Sequence, residues 1–282
     1  MPELPEVETV RKGLEKLVNG FYIKKIDVLK ERSIASIGGS EEFINNVQDN
    51  FLGSWKRRGK YLIGTLTSKT NKSKGYLVVH LRMTGQFKVI NSEDRACSHT
   101  RVRIWDNNGR ELRFVDIRNF GQMWFVPSKA SPSEIIPGLK KLGPEPFSKE
   151  FNCNYLQNCL KKKTRTIKSA LLDQSTVAGV GNIYADESLF EAGINPKTKS
   201  KNLTKSELKK LCESVIKILR ISIGEGGTTF SDFRDLEGLN GNYGGQALVY
   251  RRNNKPCKKC GHTILKEKVG GRSTHWCPKC QI

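Results

Sequence analysis

Apolar positions near the start of the chain repeat at helical spacing. Val7, Val10, Leu14 and Leu17 fall at i, i+3, i+7 and i+10, which predicts a helix over 5–18 with one buried face. Pro5 suits its first turn, and Glu6 and Glu8 complement the positive end of the helix dipole. From about 21 to 127 the pattern becomes β-like. The runs YLIGTL, YLVVHLRM, FKVI, TRVRIW, ELRFVDI and MWFV are β-branched or aromatic and are separated by Gly, Asn, Asp and Ser. Asn107-Asn108-Gly109 reads as a hairpin turn between two of them. Residues 131–149 carry Pro132, Pro137, Pro144 and Pro146 with little periodicity and read as a linker. Helical spacing resumes over 150–162, 166–174, 181–192 and 204–223, the last opened by Thr204 and Glu207 as a capping box. Residues 224–247 are Gly-rich and read as a loop. The expected class is α+β: an N-terminal β-sandwich with a leading helix (1–130), the linker (131–149), a helical domain (150–247) and a small C-terminal module (248–282).

Charge changes the picture. The 282 residues hold 49 Lys and Arg against 28 Asp and Glu, a net charge of +21. An excess of that size points to a polyanion, most often nucleic acid. No stretch approaches the ~18 consecutive apolar residues of a membrane span. The first twenty residues lack an apolar signal core and the Arg-rich character of a transit peptide.

Four of the eight cysteines lie at the C-terminus as C-x2-C, sixteen residues, C-x2-C: Cys257, Cys260, Cys277 and Cys280. That spacing suits one tetrahedral four-thiolate Zn2+, and four thiolates leave no open position for substrate, so the metal is expected to be structural. Residues 251–282 carry nine Lys or Arg against Glu267 alone, +8 on a module too small to bury much core. Cys97, Cys153, Cys159 and Cys212 share no spacing and read as packing residues.

Removal of Met1 would leave Pro2 with a free secondary amine. An α-amino group titrates near ~8, well below Lys at ~10.4, so a useful fraction is neutral and nucleophilic at neutral pH. A secondary amine attacking a carbonyl carbon gives an iminium, an electron sink; such a centre could displace a base from a sugar C1′ and then promote elimination of the phosphates, with Glu3 beside it as a general acid. A Pro near a terminus otherwise serves only to start a helix.

MPELPEVETV at the start, KRRGKYL at 56–62, HLRMTG at 80–85, DIRNFG at 116–121, LGPEPF at 142–147, AGVGNIYADESLFEAGI at 178–194, GGTTFSDF at 226–233 and the terminal GRSTHWCPKCQ together resemble the formamidopyrimidine-DNA glycosylase (MutM) family over essentially the whole chain. The resemblance implies a bifunctional DNA glycosylase and abasic-site lyase of base excision repair. Such an enzyme removes oxidised purines (8-oxoguanine and formamidopyrimidines) and nicks the strand by β,δ-elimination. It implies Pro2 as nucleophile, Glu3 as its acid partner, Lys60 in β-elimination and Arg272 as the phosphate-gripping residue of a β-ribbon zinc finger. A target base must leave the duplex stack before C1′ can be attacked. Met83, Arg118 and Phe120 match the wedge that fills the hole and holds the orphaned partner. His80 and His99 match further DNA contacts.

Asn182 opens a helix after Gly179-Val180-Gly181, a geometry suited to an anion, and the resemblance places it in a helix–two-turn–helix. From KKKTRTIK at 161–168, Lys163 and Lys168 are the candidate phosphate contacts, with Arg165 as a third. The loop 225–233 matches a segment that closes over the flipped base. Three departures stand out: His99-Thr100-Arg101 where His-Asp-His is common, Asp116-Ile117-Arg118-Asn119-Phe120 in the wedge loop, and Arg251 where Gly is usual. The sister endonuclease VIII enzymes, which remove oxidised pyrimidines, usually carry Gly where this chain has Leu4. A non-catalytic zinc-ribbon binder is the alternative of a different class, and it would not require the Pro2-Glu3 start. The expected partner is damaged double-stranded DNA, with a monomer in the cytoplasm of a bacterial-type cell and no membrane association.

Overall fold

The computed structural model describes residues 1–91, 95–229, 236 and 240–282. The chain divides into two compact units, one of residues 1–140 with 226–241, the other of 141–225 with 242–282.

The first unit is a β-sandwich with a leading helix. Helix α1 (Leu4–Val18) starts at an N-cap, Glu3, whose side chain and that of Glu6 form a capping box. Of the predicted stripe, Val7, Val10 and Leu14 are fully buried, Leu17 is only partly buried against the core, and Val18 takes the last buried place. One antiparallel sheet has the order β1-β3-β4-β5-β9, built from β1 (Phe21–Tyr22), β3 (Phe51–Arg58), β4 (Tyr61–Thr67), β5 (Ser73–His80) and β9 (Gln122–Pro127). The other has the order β2-β7-β8-β6, from β2 (Lys25–Val28), β6 (Gly85–Asn91), β7 (Thr100–Trp105) and β8 (Arg110–Asp116). Both sheets and α1 contribute to one core, with Leu62, Leu77 and Val79 from the first sheet and Phe87, Ile104, Leu112 and Phe114 from the second. The turn 107–109 joins β7 to β8, as its Asn-Asn-Gly signature predicts.

Two elements depart from the sequence pattern. A helix, α2 (Gly39–Val47), interrupts the stretch read as β, and buries Phe43 and Val47. The linker expected at 131–149 begins with two short helices, α3 (Pro132–Ile135) and α4 (Pro137–Lys140). Ser131 and Glu134 make a capping box there, and prolines at the first helical positions start helices as readily as they end them. Two described residues that follow α8 belong to this unit: Leu236 joins its core and the Thr228 N–H donates to Glu6 Oε1 at 2.8 Å.

The second unit contains α5 (Cys153–Leu160), α6 (Ile167–Leu172), α7 (Asn182–Ala192), α8 (Lys205–Gly224), α9 (Tyr243–Gln246) and the hairpin β10 (Leu265–Val269) and β11 (Arg272–Trp276). The four longer helices match the predicted spans within a few residues. The C-terminal module packs on α7 through Phe190 against Val249, Cys257, Ile264 and Cys277. The buried Glu187 carboxylate accepts the backbone N–H groups of Leu248, Val249 and Tyr250 at 2.7, 2.9 and 2.8 Å. These bonds tie the start of the module to α7 within the second unit. Arg251, which stands where Gly is usual, has φ 57, a left-handed conformation that glycine adopts without strain. Among the described residues no helix is long and apolar enough to cross a membrane.

Candidate active site and nucleic-acid surface

In the first unit the chain start is anchored at its root. Pro2 and Glu3 are buried, and Glu3 is 2% exposed. The Glu3 N–H donates to Glu6 Oε2 at 2.8 Å. Glu6 thus links the chain start to the segment returning at Thr228. The sequence marks Glu6 only as an acid near the positive end of the helix dipole; nothing local marks a contact spanning more than two hundred residues. Helix α1 lies along β3. The Trp55 N–H donates to Glu15 Oε2 at 2.6 Å, and Arg57 Nε donates to Glu8 Oε2 at 3.0 Å. Moving toward the start of α1 therefore means moving toward the end of β3, where the β3–β4 turn carries Gly59 and Lys60. That turn brings Lys60, only 7% exposed, to the same end of the unit as Pro2 and Glu3.

His80 lies at this end too, because Tyr61, the residue after Lys60, pairs with it across β4 and β5. Its ring makes a T-shaped contact with Tyr61 at 4.5 Å between centroids. Burial, then the Arg82 and Lys60 cations, push the His80 imidazole from 6.5 down to about 3. It is neutral at physiological pH. Nδ1 accepts the Arg82 N–H at 3.0 Å, so Nε2 carries the proton and is a donor.

The next turns hold the wedge candidates. Met83 lies between β5 and β6, and Arg118 and Phe120 lie between β8 and β9. Met83 and Phe120 are each 38% exposed, so neither is a core residue. Asp116, fully buried, ties the two turns together. Its Oδ1 accepts from the Thr84 hydroxyl and from the Arg118 N–H at 3.2 Å. Its Oδ2 accepts from the Phe120 and Gly121 N–H groups at 2.8 and 2.7 Å. The guanidinium carbons of Arg32 and Arg118 each lie 5.2 Å from the Phe120 ring centroid. His99 is exposed, and its carbonyl accepts the Asp116 N–H at 2.9 Å. Cys97 beside it is exposed and not a packing residue. Asp116 was visible in the sequence only as part of a motif; its bridging role follows from strand pairing.

In the second unit, Gln174 staples the glycine turn before α7. Its side chain accepts from the Gly179 N–H at 2.9 Å and donates to the Val180 carbonyl at 2.8 Å. Asn182 begins α7 and donates through Nδ2 to the Ser273 carbonyl at 2.9 Å. Lys163 is partly exposed, with Nζ 3.5 Å from the Thr176 hydroxyl. Arg165 donates to Asp173 Oδ2 at 2.6 Å. Burial alone would raise the Asp173 pKa, but hydrogen bonds from Ser175 and the Arg165 guanidinium bring it to about 2. Lys168 departs from its expected place at a surface phosphate. It is 0% exposed and forms an ion pair with Asp186 at 2.6 Å. A side chain in an amphipathic helix reaches inward or outward according to its face, which a run of five cations does not reveal. Arg272 is exposed at the start of β11. Of the candidate loop 225–233, residues 230–233 lie outside the described residues.

The four Sγ atoms of Cys257, Cys260, Cys277 and Cys280 all lie within 4.8 Å of one another. The Cys257–Cys280 and Cys260–Cys277 separations are 3.9 and 3.5 Å. A tetrahedron with Zn–S bonds of ~2.3 Å has S–S edges of ~3.8 Å, close to both separations, so the set fits one structural Zn2+.

Comparison with known proteins adds to this geometry. Family models match residues 1–123 (formamidopyrimidine-DNA glycosylase N-terminal domain), 142–234 (formamidopyrimidine-DNA glycosylase H2TH domain) and 254–282 (zinc finger found in FPG and IleRS). A formamidopyrimidine-DNA glycosylase of Prochlorococcus marinus (strain NATL1A) is 74% identical over 281 residues, covering 100% of both chains. A Lactococcus lactis FPG variant in complex with DNA containing Fapy-dG superposes with a TM-score of 0.90 at 34% identity, covering 99% of each chain. MutM in complex with DNA containing carbocyclic 8-oxo-G gives 0.89 at the same identity and coverage.

Proposed function

The chain belongs to the formamidopyrimidine-DNA glycosylase family and is a DNA glycosylase of base excision repair; on that premise we propose that it excises oxidised purines through Pro2 and then nicks the strand. The observation that carries this reading is the gathering, at one end of the first unit, of the buried Pro2-Glu3 start, Lys60, His80 and the exposed Met83, Arg118 and Phe120. A chemical group and a wedge at the same end are what a base-flipping enzyme needs.

The steps follow from the groups. Met1 removal frees the Pro2 nitrogen, whose lone pair attacks C1′ of the lesion nucleotide. The N-glycosidic electrons leave with the base, which takes a proton, and Glu3 is the acid at hand. The attached Pro2 nitrogen gives up its proton, the C1′–O4′ bond breaks with O4′ taking a proton as the ring opens, and the iminium so formed draws electrons from C2′. Loss of a C2′ proton expels the 3′ phosphate, with Lys60 as base, and a second elimination expels the 5′ phosphate. Water then releases the sugar remnant and restores the amine. Neutral His80 offers Nε2–H to a phosphate oxygen without adding charge. Met83 and Phe120 enter the vacated stack, and the Arg118 donor fork faces the orphaned base. The enzyme acts on damaged double-stranded DNA as a cytoplasmic monomer. Zn2+ holds the C-terminal hairpin in shape and takes no part in the bond changes.

Borohydride trapping tests the reading. Untagged protein is offered duplexes bearing 8-oxoguanine opposite cytosine, an oxidised pyrimidine, or no lesion. A covalent complex formed mainly on the first and lost in Pro2→Gly is expected. Trapping mainly on the pyrimidine lesion would reassign the substrate. Tight binding with no complex on any duplex would leave a zinc-bearing DNA binder. A retained N-terminal tag, which acylates the Pro2 nitrogen, should abolish trapping.

A further inference from the structure

Lys168 is the one cation of the 161–168 run that is wholly buried, and its surroundings are specific. Its ammonium lies 2.6 Å from Asp186 Oδ1 and donates to the Ser273 carbonyl and the Thr274 hydroxyl, both at 2.8 Å. Asp186 Oδ2 accepts the His275 N–H at 2.8 Å. Asn182, one turn before Asp186 on α7, donates to the same Ser273 carbonyl at 2.9 Å. The three residues that follow Arg272 are therefore each held by α6 or α7. The turn preceding Arg272 is fixed as well. Gly270 and Gly271 have φ 57 and 76, and a Cβ on Gly270 would meet Ser169 Oγ at 2.2 Å, so α6 touches the tip.

Arg272 sits between these two anchorages with its side chain exposed. We propose that the buried Lys168–Asp186 pair is a positioning device that sets the place of Arg272, so that its guanidinium meets the phosphate leaving in the second elimination. The inference rests on the reading of Arg272 given above. An ion pair suits this task better than apolar packing, because its hydrogen bonds are directional and hold backbone atoms in one register. Lys168 and Asp186 touch no substrate in this account; they act through the backbone of β11.

The test reads how the nick ends. Wild type, Arg272→Ala, the double variant Lys168→Met with Asp186→Leu, and the triple combination are given a duplex with one abasic site. Products ending in 3′ phosphate (both eliminations) are compared with those ending in the unsaturated aldehyde (the first only). The ratio does not depend on how much enzyme is folded. Since ~1 Å of misplacement can cost ~100-fold, the double variant should lower the share of second elimination at least tenfold. It should keep one zinc per chain, and adding Arg272→Ala should change nothing further.

A wild-type ratio in the double variant, with a low ratio in Arg272→Ala, overturns the positioning role alone. A wild-type ratio in Arg272→Ala itself overturns the reading of Arg272 and the proposal with it. If the double variant loses zinc, Asp186→Asn decides the matter. Amide exchange at Ser273 to His275 should then quicken about tenfold as the ratio falls; unchanged exchange and ratio would overturn the role.

Discussion

His80 shows how much one residue's surroundings can decide. The sequence offers a histidine in HLRMTG, and an ordinary imidazole would be partly charged near pH 6.5. Here burial and two neighbouring cations hold it neutral down to about 3. The unfolded chain takes up this proton near its ordinary value, while the folded chain refuses it. Stability from this group is therefore fully present above pH ~6.5 and is lost as pH falls from there toward 3. Thermal melts from pH 7.5 to 4 should show a smaller acid loss in His80→Gln than in wild type, and NMR should find the wild-type ring singly protonated at Nε2 at pH 5. An imidazolium at pH 6 would refute the assignment. Lys168 makes the same point from the other side: two lysines five residues apart, Lys163 and Lys168, look alike in sequence and differ wholly in burial.

Elements were legible where their periodicity ran long enough. Helix α1 and helix α8 show several turns of one apolar stripe and a capping box, and both stand close to where the pattern puts them. Helix α2 offers only Phe43 and Val47 as a buried pair, too few turns for a period to emerge. Strand β3 hides its alternation behind a register shift between Leu52 and Trp55, since a bulge moves later side chains to the other face. The turns that carry Met83, Arg118 and Phe120 depend on an element contact of another kind, the four bonds into Asp116. Asp116→Asn keeps the shape but turns an NH2 toward donors. It should cost about 2–3 kcal/mol, seen as a lower melting temperature, and weaken binding to lesion duplex more than to undamaged duplex. Equal weakening of both would show that Asp116 supports the fold without arranging the wedge.

At the scale of the molecule, charge and metal act together. The net charge of +21 includes +8 within the last 32 residues, all on a module whose small core is completed by its cysteines. Removing Zn2+ should unfold that hairpin and release Arg272 and its neighbours from any fixed arrangement. Each phosphate contact contributes about −0.9 to the slope of log binding constant against log salt. Chelation should therefore weaken DNA binding and make the slope shallower by roughly two, read by fluorescence anisotropy across a salt series. An unchanged slope would place the phosphate contacts elsewhere. The division of the chain into units is also a whole-molecule property. Thr228 and Leu236, which follow α8 in the chain, belong to the sandwich unit.

The sequence by itself determined the chemistry that is local: a Pro2-Glu3 start able to yield a secondary amine, four cysteines at zinc spacing, a basic surface, and motifs specific enough to identify the family. Each depends on residue type and short-range spacing, which are written in the chain. Tertiary structure alone decided which basic residues face outward, how His80 is kept neutral, how Glu6 reaches Thr228, and how Asp116 joins two turns. Those properties come from burial and from hydrogen bonds between residues far apart in sequence. Desolvation and directional bonding depend on where the folded chain places its atoms, and identical side chains in one run can meet opposite fates.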